Sequence, residues 1–376
     1  MSSMKTVILL PVLVACADPE PDSDLDPVST EGLAEFYEDL QEDAEAFGYE
    51  DGQWTEDFGD AAAFGPTFYA HAGLQAGRSD YLERAQEAAT YNLGVLQQGT
   101  DDLTWFAENL EEIFMATQGA ITWTGLMEES DPVDEIDALI DTMDPIVQAT
   151  GDYMELSLGS FASDLYGPTA VTGGVAVIYL QHAHYLDADR SPEWVDRAVE
   201  IASAIDAAAF ADDHYRFSPD VEKLYLYPNA IMILVLTRLY EQTGDADTLA
   251  QAELVFEGIQ PLWDERMELY HSPYSTESQG AETDEYSTLS SQNYLLLGLM
   301  ELYRHTGDIV YRNEAVSLLQ SLRARLYSEA DGLMVHHWVD GRAANEDDPD
   351  FFCSGCNLQT LFILWYLAYE LGVDLE

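Results

Sequence analysis

Four acidic residues are the first candidates for chemistry, because each lies in a polar stretch just before an apolar run or in its first turn. Cleavage of a glycosidic bond needs one protonated carboxylic acid at the leaving oxygen and one ionised carboxylate that acts as base or nucleophile. A structural role is the alternative, since the chain has 71 acidic residues and helix N-termini favour carboxylates as caps. The candidate catalytic residues are Asp60, Glu108, Asp284 and Glu285.

Aromatic and amide side chains in the same stretches have the chemistry to bind a sugar. The flat C–H faces of a sugar ring pack on aromatic planes, and a side-chain amide offers a paired donor and acceptor to hydroxyl groups. Packing of loops onto the protein body explains any one aromatic residue equally well. The candidate substrate-binding residues are Trp54, Trp105, Tyr166, Tyr227, Asn229, Tyr286, Gln292 and Trp338.

Two cysteines open the last apolar run of the chain, at Cys353 and Cys356. A local disulfide, a pair of free thiols and a metal site that includes His336 or His337 are the three interpretations of this pair. We expect the disulfide, and we expect no metal and no other cofactor. The chain has no Gly-x-Ser-x-Gly elbow, phosphate-binding Walker loop or dinucleotide fingerprint, so serine-hydrolase, ATP and NAD chemistry have no support.

A repeat indicates which elements position these residues. Leu239-Tyr240-Glu241-Gln242-Thr243-Gly244-Asp245 returns as Leu302-Tyr303-Arg304-His305-Thr306-Gly307-Asp308. In both copies an apolar run ends at Thr-Gly-Asp and an amphipathic run follows. Glycine suits the left-handed position after a helix, and aspartate caps the next one. The repeat therefore predicts αα-hairpins in a helical array.

Periodicity of 3.6 residues predicts twelve helical segments, which alternate in character. The even-numbered segments are apolar nearly all round and the odd-numbered segments carry a charged face, which is typical of buried and outer helices respectively. Six buried helices that alternate with six outer ones predict an all-α, (α/α)6 toroid. The predicted spans are 31–47, 66–77, 79–97, 107–128, 133–149, 168–187, 192–208, 223–243, 246–262, 285–306, 309–327 and 355–371.

The connections predict where a site would lie. Turns from buried to outer helices are short, whereas the connections from outer to buried helices are long and include short aromatic hairpins. All the long connections must then lie on one rim, beside the N-termini of the buried helices. Long loops in a compact domain are usually functional, so this rim is the candidate site.

The alternation over residues 31–376 resembles the six-hairpin glycosidase superfamily, which includes α-mannanases, unsaturated glucuronyl hydrolases and N-acylglucosamine 2-epimerases. The resemblance implies a cleft at the N-termini of the inner helices. For the adjacent aspartates of the mannanases the chain offers only Asp101-Asp102, in a predicted loop. The histidines that such epimerases use in the barrel core are not matched, because those here lie near the opposite ends of the inner helices: His71, His182, His184 and His305.

The N-terminus predicts export and anchoring. Lys5 precedes an apolar run that is too short to span a bilayer, and the run ends in Leu13-Val14-Ala15-Cys16. This resembles the lipobox of bacterial lipoproteins, in which the cysteine is lipidated, so we expect lipidation at Cys16. The predicted organisation is a signal peptide at 1–15, an acidic, proline-rich tether at 16–30 and a toroid domain at 31–376.

The charge of the chain limits its partners. Lysine and arginine total 14 against 71 acidic residues, a formal net charge of −57. Nucleic acid, anionic membrane surfaces and polyanionic substrates are disfavoured, and the excess of acid suggests adaptation to salt. We therefore expect a monomer that contacts a membrane only through an N-terminal lipid.

These observations predict a carbohydrate-active toroid that acts as a glycoside hydrolase on a neutral glycan, with paired carboxylates at the long-loop rim. The first alternative is a noncatalytic glycan-binding or scaffold lipoprotein. A further alternative is a metal-dependent toroid that uses the two cysteines.

Overall fold

Two concentric rings of helices make up the described chain. A computed structural model describes residues 28–44, 49–50, 53–54, 58–101, 110–127, 133–134, 136–138, 140–141, 167–186, 191–272, 286–339, 342–343, 352–373 and 375. The described residues in the stretch 133–141 are helical. The other helices are α1 (Leu33–Ala44), α2 (Phe58–Ala76), α3 (Ser79–Asp101), α4 (Leu110–Leu126), α5 (Gly167–Tyr185), α6 (Ser191–Ala209), α7 (Leu226–Thr243), α8 (Ala246–Gly258), α9 (Leu289–Thr306), α10 (Ile309–Leu326) and α11 (Ser354–Glu370).

The inner ring closes on itself. Helix α2 packs against α4, α4 against α5, α5 against α7, α7 against α9, α9 against α11, and α11 returns to α2. Among the outer helices, α3, α6, α8 and α10 each pack on the inner helix that precedes them, and α1 packs on α11. The fold is therefore the (α/α)6 toroid that the sequence predicts.

Burial explains why the helices divide between the rings. In α7 every residue from Ala230 to Leu236 is buried, whereas α6 buries a stripe at helical spacing that includes Trp194, Ala198, Ile201 and Ile205. A helix that is apolar all round must be covered on every side, and a striped helix covers it from outside. No described helix combines the length and apolarity needed to cross a membrane.

Helix α2 begins earlier than predicted. We expected the segment to start at Pro66, but Pro66 lies inside the helix. Proline has no N–H for the carbonyl of Ala62, four residues earlier, and Asn92 Nδ2 donates to that oxygen instead, at 2.8 Å. A side chain at Gly119 would place its Cβ 2.1 Å from the same oxygen, so glycine allows α4 to approach α2 closely. The sequence alone therefore indicates a helix start at Pro66, whereas a hydrogen bond from a neighbouring helix allows the proline to lie inside α2.

The short turns have the predicted structure. Gly244 and Gly307 end α7 and α9 in the left-handed conformation, with φ of 70° and 71°. Asp245 and Asp308 cap the following helices and accept hydrogen bonds from the backbone N–H two residues on, at 3.1 and 2.9 Å. These turns form the rim at the C-termini of the inner helices, which we call the short-turn rim.

The long connections contain antiparallel strands. Hairpins β3–β4, β6–β7 and β9–β10 follow α6, α8 and α10, and β11 pairs with both β8 and β12. The strands are β1 (Tyr49–Glu50), β2 (Gln53–Trp54), β3 (Phe210–Ala211), β4 (His214–Ser218), β5 (Val221–Leu224), β6 (Trp263–Asp264), β7 (Leu269–Tyr270), β8 (Tyr286–Thr288), β9 (Tyr327–Ser328), β10 (Leu333–Met334), β11 (His337–Val339) and β12 (Arg342–Ala343).

Two inner helices begin later than predicted. We expected helices from 223 and from 285, but β5 and β8 occupy the first described residues of those segments. Strand β5 pairs with β4, and β8 pairs with β11, so these residues make their backbone hydrogen bonds across a sheet. The rim at the N-termini of the inner helices, which we call the long-loop rim, is partly a β-structure.

Candidate functional site

The inner ring surrounds a cavity of about 180 Å³. All six inner helices contribute side chains to its lining, and the lining extends from the first turn of α7, at Tyr227, to its last turn, at Glu241 and Gln242. The cavity therefore follows the axis of the toroid, and its two ends differ in chemistry.

The end beside the long-loop rim is aromatic. Phe64 of α2, Tyr227 of α7 and Tyr294 of α9 all lie in the first halves of their helices and line the cavity. The ring centroids of Phe64 and Tyr294 are 6.1 Å apart, those of Tyr227 and Tyr294 are 5.2 Å apart, and Phe362 of α11 lies 6.4 Å from Phe64. We call these four residues the aromatic wall. Such surfaces suit the C–H faces of sugars.

The end beside the short-turn rim is charged. Arg304 Nη1 donates to Glu241 Oε1 at 2.9 Å, and Arg304 Nε and Nη2 donate to Glu301 Oε2 at 2.9 and 2.5 Å. Arg238 and His184 line the same end. We call these five residues the charged cluster. Both carboxylates of the charged cluster, Glu241 and Glu301, therefore bond to the same arginine, Arg304.

Burial and charge determine protonation at this end. Burial opposes ionisation of Arg304, but the carboxylates of Glu301 and Glu241 outweigh burial and raise the arginine's pKa. Burial alone would raise the pKa of Glu241, but its hydrogen bond with Arg304 and the arginine's charge hold that pKa below its ordinary value. Burial, with a smaller effect from the charge of His184, lowers the pKa of His71 to about 4. At neutral pH Arg304 and Glu241 are therefore ionised and His71 is neutral.

Two of the predicted sugar-binding amides have a structural role instead. Asn229 and Gln292 are completely buried, and neither lines the cavity. Asn229 accepts from the backbone N–H of Tyr215 at 2.7 Å and donates to its carbonyl at 2.9 Å. Gln292 bonds to the backbone of Tyr270 in the same way, at 3.3 and 2.8 Å. The main chain of a rim hairpin thus uses the hydrogen-bonding groups that the predicted sugar-binding role of each amide would need.

The same hydrogen-bonding arrangement recurs on α11, at a residue that is not among the predicted site residues. Asn357 accepts from the N–H of Met334 at 2.7 Å and donates to its carbonyl at 3.0 Å. Asn229, Gln292 and Asn357 are each the fourth residue of their helix. These three amide clamps therefore fix the hairpins of the long-loop rim on the inner ring.

The other predicted aromatic residues have different positions. Tyr227 lines the cavity. Tyr286 packs on His337, with ring centroids 5.5 Å apart, and Trp338 is partly buried with Arg325 5.9 Å from its ring, so these two contribute to the β-structure of the rim. Trp54 lies in β2. Trp105 and Tyr166 lie outside the described residues.

The candidate catalytic acids are largely outside the described structure. Asp60 is the third residue of α2, in its first turn on the long-loop rim. Among described residues, the carboxylates that line the cavity are Glu241 and Glu301. The remaining candidates, and the predicted lipidation site, lie outside the described residues: Glu108, Asp284, Glu285 and Cys16.

The sequence analysis missed the charged cluster, although the repeat contains a signal for it. Arg238 and Glu301 occupy equivalent positions of the repeat, as do Glu241 and Arg304, and the charges are exchanged between the two copies. Of these two sets of equivalent positions, Glu241 and Arg304 form an ion pair in the structure.

The two cysteines form a disulfide at the start of α11. Cys353 and Cys356 are bonded, with Cα atoms 5.3 Å apart, and both are buried. The nearest ring nitrogen of His336 and the two sulfurs all lie within 4.8 Å of one another. Thiolate sulfur and imidazole nitrogen are ligands that zinc prefers, so the reduced pair would fit the metal.

Comparison with known proteins identifies the fold. No family model and no curated protein sequence matches this chain. Among solved structures it is similar to a D-mannose isomerase, at a TM-score of 0.65 and 13% identity over 91% of this chain and 98% of that one. An unsaturated glucuronyl hydrolase specific for heparin has a TM-score of 0.65 and 14% identity, over 93% of this chain and 100% of its own.

A third similar structure contains a sugar. It is an inactive variant of the α-1,6-mannanase GH76A of Salegentibacter sp. HEL1_6 in complex with α-1,6-mannotriose, with a TM-score of 0.63 and 13% identity over 90% of this chain and 99% of that one. The shared feature is the (α/α)6 toroid. At these identities the likeness concerns the fold alone.

Proposed function

We propose that this protein is a carbohydrate-active toroid that binds a neutral glycan at the aromatic end of the axial cavity and hydrolyses it there. The aromatic wall is the observation that carries the proposal, because four rings from four inner helices line the end of the cavity that faces the long connections. The similar structures include a mannanase and a glucuronyl hydrolase specific for heparin, which agrees with a carbohydrate substrate.

The proposed chemistry uses two carboxyl groups from the long-loop rim. One protonates the leaving oxygen and the other activates water or attacks the sugar. Asp60, Glu108, Asp284 and Glu285 are the candidates for these roles. A separation of about 5 Å between the two carboxyl groups would give retention of configuration, and roughly 6.5 to 9.5 Å would give inversion.

Noncatalytic glycan binding is the second candidate function, and one observation favours it. Among described residues, the two carboxylates that line the cavity are both bonded to Arg304, so neither is free to act on a bound sugar. A chain that kept the toroid and lost the acid pair would bind a glycan without cleaving it.

Calorimetric titration of neutral oligosaccharides tests the binding step that both functions share. Tyr227→Ala removes one ring of the aromatic wall, and we expect about 5-fold weaker binding, since a stacked aromatic contact contributes about 1 kcal/mol. Tyr303→Ala is the matched control, because Tyr303 lies on an inner helix but does not line the cavity. Equal affinities of the two variants would contradict the proposed position of the glycan.

A metal-dependent toroid is the third candidate, favoured by the cluster of His336, Cys353 and Cys356. Elemental analysis of the purified protein distinguishes it. One zinc per chain that is lost in Cys356→Ser would establish a metal site, whereas a zinc-free protein with no titratable thiols would match the disulfide.

We further propose that the chain is exported and held at a bacterial membrane by a lipid on Cys16. The described chain enters along α10: Val28 N–H donates to Asn313 Oδ1 at 2.8 Å, and Arg323 Nη1 donates to the Gly32 carbonyl at 3.1 Å. Because Asn313 lies near the start of α10, the tether would leave the toroid at the short-turn rim. The aromatic end of the cavity would then face away from the membrane.

Metabolic labelling with palmitate tests the anchor. We expect incorporation into the wild-type chain and none into Cys16→Ala, with release of that variant from the membrane fraction. Incorporation that survives the substitution would exclude Cys16 as the lipidated residue. Sedimentation equilibrium of the lipid-free protein should give the mass of a monomer.

A further inference from the structure

Arg238 has an unpaired N–H group in the described structure, although the chain is rich in acidic residues. It lines the charged end of the cavity, and it makes no hydrogen bond and no ion pair within the described part of the chain. Its Nη1 atom is buried. The residue as a whole is half-buried, and a buried N–H group that has no acceptor costs free energy. With 71 acidic residues in the chain, a missing partner at this position calls for an explanation.

The nearest carboxylates do not supply that partner. Glu241 lies one turn after Arg238 on α7, but its carboxylate bonds to Arg304 at 2.9 Å. Glu301 bonds to Arg304 at 2.5 Å. The charged cluster therefore holds two arginines and two carboxylates, and both carboxylates are taken by the same arginine. Among the residues that the structure describes, the guanidinium of Arg238 is therefore left without a carboxylate.

A second unsatisfied group lies on the same cavity. Gln181 of α5 lines it, and the Oε1 atom of Gln181 is buried without a hydrogen-bond partner. Helix α5 packs against α7, and His184, one turn after Gln181, lies close enough to Arg238 for the arginine's charge to lower the histidine's pKa in addition to burial. Of the described side chains that line the cavity, Arg238 and Gln181 are the two with a buried polar atom that has no partner. The Arg238 N–H group lacks an acceptor, and the Gln181 carbonyl oxygen lacks a donor.

We propose that the charged end of the cavity is a binding site for a small hydroxycarboxylate, whose carboxylate pairs with Arg238 and whose hydroxyl donates to Gln181. A carboxylate accepts two parallel N–H groups from a guanidinium, which is the strongest arrangement open to Arg238. The side chain lines a cavity of about 180 Å³, so it has room to turn toward such a ligand. This site lies at the opposite end of the axis from the aromatic wall and goes beyond the proposed glycan function.

Charge selects the class of anion. Glu241 and Glu301 stand beside the site, so a doubly charged phosphate would meet more repulsion than a single carboxylate. Chloride is singly charged but offers no hydroxyl to Gln181. The net charge of −57 repels anions from the protein as a whole, so saturable binding of one would reflect the local site.

Isothermal titration calorimetry of the full protein tests the site, with sodium glycolate, acetate, chloride and phosphate at constant ionic strength. We expect one glycolate per chain, with acetate bound about 10-fold more weakly, because it lacks the hydroxyl. Arg238→Met should weaken glycolate binding about 10- to 150-fold, the range for a hydrogen bond to a charged group. Gln181→Leu should weaken glycolate binding to the level of acetate and leave acetate binding unchanged.

A matched control and a stability measurement separate binding from folding. Arg197→Met changes an outer arginine that bonds to Glu200, and it should leave glycolate affinity unchanged. Arg238→Met should raise the denaturation midpoint of the ligand-free protein, because it removes a buried N–H group that has no acceptor; an arginine that stabilises the fold would have the opposite effect.

Three results would overturn the proposal. They are the absence of saturable glycolate binding to the wild type, glycolate affinity that is unchanged in Arg238→Met, and phosphate or chloride bound as tightly as glycolate, which would indicate an adventitious ion only. Glycolate binding should survive Tyr227→Ala. A protein that binds no glycan can still pass or fail this test, so the two proposals are tested separately.

Discussion

Replacing Asn229 by alanine separates the structural role of this amide from the sugar-binding role that the sequence predicts. In the structure Asn229 is completely buried, and its amide makes three hydrogen bonds to main chain: two with Tyr215, at 2.7 and 2.9 Å, and one with the Tyr225 carbonyl at 2.7 Å. Alanine leaves three main-chain groups without a partner where water has little access. Each such group costs about 1 to 3 kcal/mol, so we expect the free energy of unfolding to fall by about 3 to 9 kcal/mol. This is a large part of the stability of an ordinary domain.

Guanidinium denaturation at neutral pH measures this loss, and two further variants calibrate it. Asn357→Ala removes the equivalent clamp on α11 and should cost a similar amount. Gln242→Ala changes an amide that lines the cavity and makes no such bond, so its effect should stay within about 0.5 kcal/mol. If Asn229→Ala lost less than about 1 kcal/mol while its glycan affinity fell, the clamp would be wrong and the sugar-binding role would be right.

The remaining predictions concern pH, the backbone and the disulfide. Because the folded pKa of His71 is about 4 against an ordinary 6.5, the unfolded chain takes up a proton first, and stability should fall as the pH drops through this window. In urea titrations, the free energy of unfolding should fall between pH 7 and 4.5, and His71→Gln should reduce this fall by about 2 kcal/mol, after allowance for partial exposure. A fall that the substitution leaves unchanged would refute the pKa shift. Gly244→Ala should cost about 1 kcal/mol by thermal denaturation, because φ is 70° there. Gly94, which also has no close neighbour but lies at an ordinary helical position, is the control: Gly94→Ala should raise the free energy of unfolding by about 0.5 to 1 kcal/mol. A change of the same sign in both variants would contradict the backbone argument. Reduction of the disulfide should lower the unfolding temperature without changing glycan affinity. A mass increase of two hydrogen atoms would verify the reduction.

Local physical preferences explain what the sequence predicts well. The Thr-Gly-Asp turns depend on the freedom of glycine at positive φ and on a cap from the next residue, and both act within a few positions. The division into inner and outer helices depends on the pattern of apolar residues within each segment, as α7 and α6 illustrate. Such signals survive in a single sequence because no distant partner is needed to interpret them.

The failures depend on partners that are distant in the sequence. Pro66 predicts a helix start because proline is favoured in the first turn of a helix. It lies inside α2 because Asn92, on another helix, donates to the carbonyl that proline leaves without its helical partner. Asn229 and Gln292 have the chemistry of sugar-binding residues, and only the hairpins packed against them reveal their use. The charged cluster was recognisable in the exchanged charges of the repeat, but its pairing required the structure.

The central claim is that the long-loop end of the toroid acts on a neutral glycan. Product release from a panel of neutral oligosaccharides tests it most directly, with the wild type, the four amide variants Asp60→Asn, Glu108→Gln, Asp284→Asn and Glu285→Gln, and Glu257→Gln on an outer helix as control. We predict release by the wild type and by the control, and a loss of about 100-fold or more in at least two of the four variants. Absence of release from every oligosaccharide, or release unaffected by all four substitutions, would contradict the claim.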